Sequence, residues 1–295
     1  MPLHLGVILP NYGEALDAER LAGVAAAAEQ VGFDSGWVTD HVIVPEEHSG
    51  TYGTIAEALV SLGFLAARTR RLELGVSALV VPQRQPLVAL KQLTTLDFLS
   101  GGRIVTAVAA GWMDGEFATL RAPYEQRGRL LDEWLRVASS VFEQMPGRVR
   151  FDGDSFALDG WMAPPLVRPG GPPLWIAGVS RATLRRAEVT GVWHPVALRP
   201  EELRTMAAEL RERRPDSRVI LRIAVYVTPK PQDAVDERRR HALAGPPEWI
   251  AERLGEYVEA GCDGFVLNLG HASPELGERV RHFAEEIAPL VPRVN

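Results

Sequence analysis

Cysteine, lysine, long apolar runs and glycine-rich phosphate loops are what this 295-residue chain has least of. Its one cysteine, Cys262, excludes an intramolecular disulfide and any thiolate metal cluster, and its place before the final strand suits a packed small apolar residue. Only Lys91 and Lys230 are lysines among 32 basic residues. Lys91 falls within a helical pattern and Lys230 in a proline-flanked loop, so neither stands where a Schiff-base lysine is needed. No apolar stretch approaches the ~20 residues of a membrane span. A net charge of −6 argues against general binding to nucleic acid or an anionic membrane face. The opening MPLHLGVILP lacks a basic leader and a cleavage site and reads as a first strand, so a soluble cytoplasmic protein is expected. Linkers, internal repeats and low-complexity segments are also missing, which predicts one domain over 1–295.

What is there is alternation. Leu5–Leu9, Phe33–Thr39, Leu72–Val81, Arg103–Ala109, Leu174–Ala177, Val219–Val227 and Asp263–Asn268 read as strands, with a short segment at Val192–Pro195. Between them fall helical patterns: one after the Asp17 N-cap, then Glu57–Arg68, Gln85–Leu99, Gln126–Gln144, Ser180–Thr190, Pro200–Arg213, Pro246–Ala260 and Pro274–Leu290. About eight β-α units follow. With no GxGxxG after the first strand, a closed (β/α)8 TIM barrel is expected over an open doubly wound sheet. Val42–Ile55 and Gly111–Glu125 are irregular insertions after strands two and four, where they would wall a pocket at the C-terminal face. Gly147–Pro172 holds a small hairpin, Val149–Phe151 with Ser155–Leu158.

Chemistry is therefore sought at strand ends, and strand two ends in Asp40-His41. A histidine there could give or take a proton near neutral pH, with Asp40 fixing its tautomer or capping the next loop. The plainer reading is a turn cap and a hydrogen bond to a loop carbonyl. Metal hydrolysis is a rival class, but no two of the seven histidines form a close ligand pair, which leaves only Asp40, His41 and His194 as a three-ligand set. A third class is a cofactor-free barrel that binds a ligand.

GFDSGWVTDH (Gly32–His41), the block Leu72–Arg103, AAGWMDGEF (Ala109–Phe117), RGRLLDEWLRV (Arg127–Val137), PPLWIAGVSRATLRRA (Pro172–Ala187) and Leu243–Leu267 together resemble the luciferase-like monooxygenase superfamily. The Asp-His pair closing strand two resembles its coenzyme F420 (5-deazaflavin) branch in particular. The resemblance implies hydride transfer between F420 and a small organic substrate, with His41 and Asp40 as the catalytic pair. FMN with O2, in a flavin-dependent monooxygenase, is the alternative cofactor and reaction. It implies a non-proline cis bond at Ser77–Ala78 supporting the ring and close backbone approach at Gly111. Trp112 stands where one branch has a catalytic Glu, and it either stacks in the pocket or packs in its wall. Phosphate contact is implied at Gly178 and Ser180, Ser180 serving equally as an N-cap, while Ala177 replaces a frequent second glycine. Arg181 and Arg185 lie near that phosphate in sequence. Glu57 resembles a glutamate of the deazaflavin branch, its alternative role being to favour the helix dipole. A homodimer is implied by family habit.

Overall fold

A computed structural model describes residues 3–14, 16–164, 166–236 and 238–292. Strand β1 (His4–Ile8) leads through α1 (Ala18–Gln30) to β2 (Ser35–Val38), and short α2 (Ser49–Tyr52) and α3 (Ala58–Arg68) precede β3 (Glu73–Val80). Then follow α4 (Pro86–Ser100), β4 (Ile104–Ala109), α5 (Asp114–Thr119) and α6 (Arg127–Gln144). An antiparallel hairpin, β5 (Gly147–Asp152) with β6 (Ala157–Met162), comes before β7 (Leu174–Ala177), α7 (Arg181–Thr190), β8 (Val192–His194) and α8 (Pro200–Arg213). The chain finishes with β9 (Arg218–Val227), β10 (Ala234–Val235), β11 (His241–Gly245), α9 (Pro247–Glu259), β12 (Gly264–Asn268) and α10 (Leu276–His282).

Among the described residues eight parallel strands, in the order β9-β12-β1-β2-β3-β4-β7-β8, close on themselves through the β8–β9 pairing. The (β/α)8 TIM barrel is therefore present. Several details differ from the expectation. Both irregular insertions contain short helices, α2 and α5, whose few residues give too brief a pattern to read. The strand pair β10–β11 went unanticipated because HALAG is small and weakly apolar. The last helix widens into a π turn at Phe283–Ile287 and closes in a 3₁₀ turn at Ala288–Leu290 instead of running as one α-helix to Leu290.

Caps explain where the helices begin. Asp17 accepts from Arg20 N–H at 2.7 Å, Gln85 from Val88 N–H at 2.8 Å and Glu57 from Val60 N–H at 2.7 Å. Gly101 and Gly191 close α4 and α7 in the left-handed region. Outward-facing strand residues such as Val38, Leu74 and Leu221 join the helices in one large core. The inward residues form a second.

That inner core is floored by rings. Trp37 meets Trp175 at 4.7 Å and stacks on His194 at 5.5 Å, while His4 meets Trp175 edge-on at 5.6 Å. Such rings fit only because Gly75 faces Trp37: a Cβ there would come within 2.5 Å of the indole. Trp37 has nowhere to yield, being wedged against Trp175 and His194. Gly75→Ala is therefore expected to lower stability by ~1–3 kcal/mol through overpacking. A urea titration reads this as a lower midpoint at unchanged slope. An unchanged midpoint would mean that the ring layer is not rigid.

Candidate active site

The C-terminal ends of the strands open on a cavity of about 460 Å³, lined among others by Asp40, His41, Tyr52, Ser77, Ala78, Gly111, Trp112, Gly178 and Ser180. That is the size and position of a small-molecule site in a barrel. Of the residues singled out from sequence for the site, Glu57, Arg181, Arg185 and His194 are absent from this lining. The Glu57 carboxylate caps α3 and pairs with Arg84 at 3.2 Å, one layer behind the wall.

His41 is buried, and its Nδ1 lies 2.9 Å from Glu116 Oε2. A carboxylate only accepts, so Nδ1 carries the proton. Among the described residues no other hydrogen bond engages the ring, and Nε2 is the nitrogen left for a bound molecule. Glu116 also accepts from the Val42 N–H at 2.7 Å, which pins the start of the loop after β2. Burial pushes Glu116 up, but the hydrogen bonds from His41 and Val42 outweigh it and hold the carboxyl below its usual range. It is an anion at neutral pH.

The orienting carboxylate is thus Glu116 and not Asp40, which corrects the expectation for the Asp40-His41 pair. Asp40 turns the other way, to Arg84 at 2.7 Å and the Val80 N–H at 3.0 Å, and so ties β2 to the end of β3. Burial raises Asp40 against the pull of Arg84 and Val80. Burial likewise opposes the Arg84 charge, yet Asp40 and Glu57 hold that guanidinium more firmly protonated than an ordinary arginine. Glu116 escaped sequence reading because it lies on a one-turn-and-a-half helix, 75 residues from its partner. The only signal was a carboxylate in an insertion already assigned to the pocket wall.

At the end of β3 the register against β4 slips between Ser77 and Leu79, and the Ser77–Ala78 peptide bond is cis. Two buried groups from the far wall hold Ser77. His194 Nδ1 lies 2.7 Å from Ile220 O and its Nε2 lies 2.8 Å from Ser77 Oγ. Since a carbonyl only accepts, Nδ1–H donates to it and the serine hydroxyl donates to Nε2. Arg222 donates to the Ser77 carbonyl and reaches Ser77 Oγ at 3.3 Å.

Gly111 has φ +87°, and a Cβ there would strike Phe117 and Val80, so its glycine serves wall packing as well as approach to the cavity. Across the cavity Gly178 has φ +129°, and Ser180 caps α7 with Oγ 3.2 Å from Thr183 N. The helix N-terminus therefore faces the cavity. Arg181 and Arg185 are exposed; the basic residues at this end are instead Arg127, stacked 3.8 Å over Tyr124, and Arg186, paired with Asp132 at 2.5 Å. Arg222, Arg238 and Arg240 line the other side. Five arginines line the cavity against the single Asp40, which Arg84 neutralises; Arg186 and Arg240 are likewise ion-paired, so Arg127, Arg222 and Arg238 leave the lining positive and anion-seeking.

No group of three or more His, Cys, Asp or Glu among the described residues could hold a metal ion. His41 and His194 are each committed to separate partners. Cys262 is buried, and burial pushes its thiol up to about 12. No helix among the described residues is long and apolar enough to cross a membrane.

A closed parallel barrel with a cationic cavity at the C-terminal mouth defines a barrel with a small-molecule site. Within that class the chain belongs to the luciferase-like monooxygenase family, whose model matches residues 4–242. The FMNH2-dependent dimethylsulfone monooxygenase of Pseudomonas putida is 29% identical over 264 residues, covering 88% of this chain. The match spans 66% of that relative's length. The coenzyme F420 dependent tetrahydromethanopterin reductase of Methanopyrus kandleri superposes with a TM-score of 0.81 at 15% identity, over 99% of this chain and 100% of that one. The EDTA monooxygenase of Chelativorans sp. BNC1 gives 0.81 at 17% identity, over 99% and 93%. Identities this low carry the fold alone.

Proposed function

We propose that the chain is an oxidoreductase that holds coenzyme F420 in this cavity and moves a hydride between it and a small organic substrate, with His41 handling the accompanying proton. The observation that carries the reading is the buried His41–Glu116 pair, which leaves Nε2 toward the cavity beside the Ser77–Ala78 bulge. The lining fits a flat, phosphorylated ring system. Gly178 and the N-terminus of α7, with Arg127 and Arg186, offer N–H groups and positive charge to a phosphate. Ser77 and Ala78, fixed from behind by His194 and Arg222, supply a flat wall, and Trp112 and Tyr52 bound the substrate side. When bound, a deazaflavin supplies a carbon centre that gives or takes a hydride and reacts poorly with oxygen. His41 then takes the proton released by a substrate hydroxyl, or returns it to a carbonyl oxygen in the reverse direction. Glu116 keeps the proton on Nδ1 in the neutral ring and balances the imidazolium formed in between.

A second reading, an FMN-dependent monooxygenase using O2, draws support from the Pseudomonas putida relative, which uses FMNH2 and aligns over 88% of this chain. Equilibrium titration with oxidised F420 and with FMN, side by side, decides between them. The expected result is tight F420 binding and at least tenfold weaker FMN binding, or about 1.4 kcal/mol. The reverse order would move the protein to the oxygen-using reading, and failure of both would leave a ligand-binding barrel without a redox cofactor.

A further inference from the structure

The cationic side chains around the cavity are not alike in what they already hold. Arg186 is paired with Asp132, Arg240 with Asp236, and Arg222 is spent on Ser77. Arg238 is different. Its guanidinium lies 3.7 Å from the Trp112 ring centroid, and no side-chain hydrogen bond or ion pair to it occurs among the described residues. The turn that presents it is built for the purpose. Buried Asp236 accepts the backbone N–H of both Arg238 and Arg240 at 2.9 Å, and Arg239 takes φ +56° and points to solvent. Two arginines of the run thereby face the cavity.

We propose that Arg238 forms a subsite for an anionic group of the substrate, a carboxylate or sulfonate, at the His41 end of the cavity. This rests on the reading of the cavity as a redox site and names the substrate class for it. A guanidinium carbon held over an indole by a cation–π contact commits no N–H group to a partner, and the arginine N–H fork matches a carboxylate or sulfonate edge. Location separates this subsite from the phosphate cradle. Trp112, over which this cation lies, meets His41 at 6.0 Å, and Tyr52 meets His41 at 4.6 Å, whereas Gly178, Arg127 and Arg186 belong to α7 and its surroundings. Burial, with Arg240 and Arg222 close by, lowers Arg238 to about 10, so it stays charged at neutral pH and gains from a bound anion.

The test is calorimetric titration of wild type, Arg238→Gln and Arg238→Lys with hexanoate, hexanesulfonate and hexanol, each with and without saturating cofactor. Wild type should bind both anions, and Arg238→Gln should weaken them about 10- to 100-fold, the loss of a charged hydrogen bond, while hexanol is unaffected. Arg238→Lys should fall between, keeping the charge without the fork. Equal anion binding by wild type and Arg238→Gln, or none by wild type, overturns the proposal. A parallel arm compares F420 with its riboside lacking phosphate and glutamates. If Arg238→Gln weakens intact F420 as much as hexanoate and spares the riboside, the arginine serves the cofactor tail and the substrate assignment falls. If neither F420 nor FMN binds but the anion response persists, the subsite stands and the redox reading fails.

Discussion

His41→Gln is expected to reduce turnover by about 10²–10⁴-fold, the range that positioned acid–base groups contribute, while leaving the fold and cofactor binding in place. Glutamine is the informative replacement. It stays polar and uncharged, and the loop after β2 stays latched through the Val42 N–H, which donates to Glu116 from the backbone, but the side chain cannot carry a proton between substrate and solvent. Steady-state kinetics with whichever cofactor binds makes the check, with circular dichroism to establish folding. Turnover within a few-fold of wild type in a folded His41→Gln protein would remove the histidine from the chemistry. Glu116 acts through His41 and is a positioning residue. Glu116→Gln should cost less, and the loss should fall on kcat with KM little changed, because the amide no longer fixes the proton on Nδ1. A merely structural Glu116 would raise KM or lower the folded fraction instead.

The asymmetry between strand ends and side-chain partnerships explains what could be read in advance. Strand Leu174–Ala177 and helix Pro200–Arg213 follow the patterns in the chain residue for residue, since local periodicity and caps decide them. The cavity residues came from positions at strand ends and from resemblance, and most of them do line one space. Partner choice was not local. Asp40 is next to His41 in sequence, yet both lie just past the end of β2 (Ser35–Val38), where no strand alternation fixes side-chain direction; Asp40 reaches Arg84 and the Val80 N–H while His41 finds Glu116 on the insertion after β4. The same geometry explains the arginines. On α7, Arg181 and Arg185 share an exposed face, and Arg186, one step around the helix, turns to Asp132 and the cavity. The run 238–240 carried no periodic signal at all, because its direction is set by Asp236 and the short β10–β11 pair.

Two buried histidines should cost this protein several kcal/mol of stability between pH 6.5 and 5, opposed in part by Asp40 and Glu73, whose raised carboxyls take up protons in the folded state. The cause is the ring layer under the site. Burial lowers His194 to about 3 and His4 to about 4, from 6.5 in an unfolded chain. Between those values the unfolded state binds protons that the folded state refuses, so stability rises with pH across the window and is lost as pH falls through it. Each histidine contributes up to about 1.4 kcal/mol per pH unit, hence about 2 kcal/mol each by pH 5 and ~4 kcal/mol together. The stabilising carboxylates, Glu29, Glu116 and Glu133, are held below their usual range, so their contributions are present above about 4.3 and are lost only at lower pH. The structure also shows why the folded state cannot adapt. A proton on His194 Nε2 would confront the Ser77 hydroxyl proton and add a cation beside Arg222, with Trp37 and Trp175 excluding water from the ring. Urea titrations at half-unit steps from pH 7 to 5 measure the slope. His194→Asn should flatten it by nearly one proton even though the variant is less stable at pH 7. An unchanged slope in His194→Asn would show that His194 titrates alike in both states, and the neutral ring assigned to it, with the Ser77 hydroxyl donating, would be wrong.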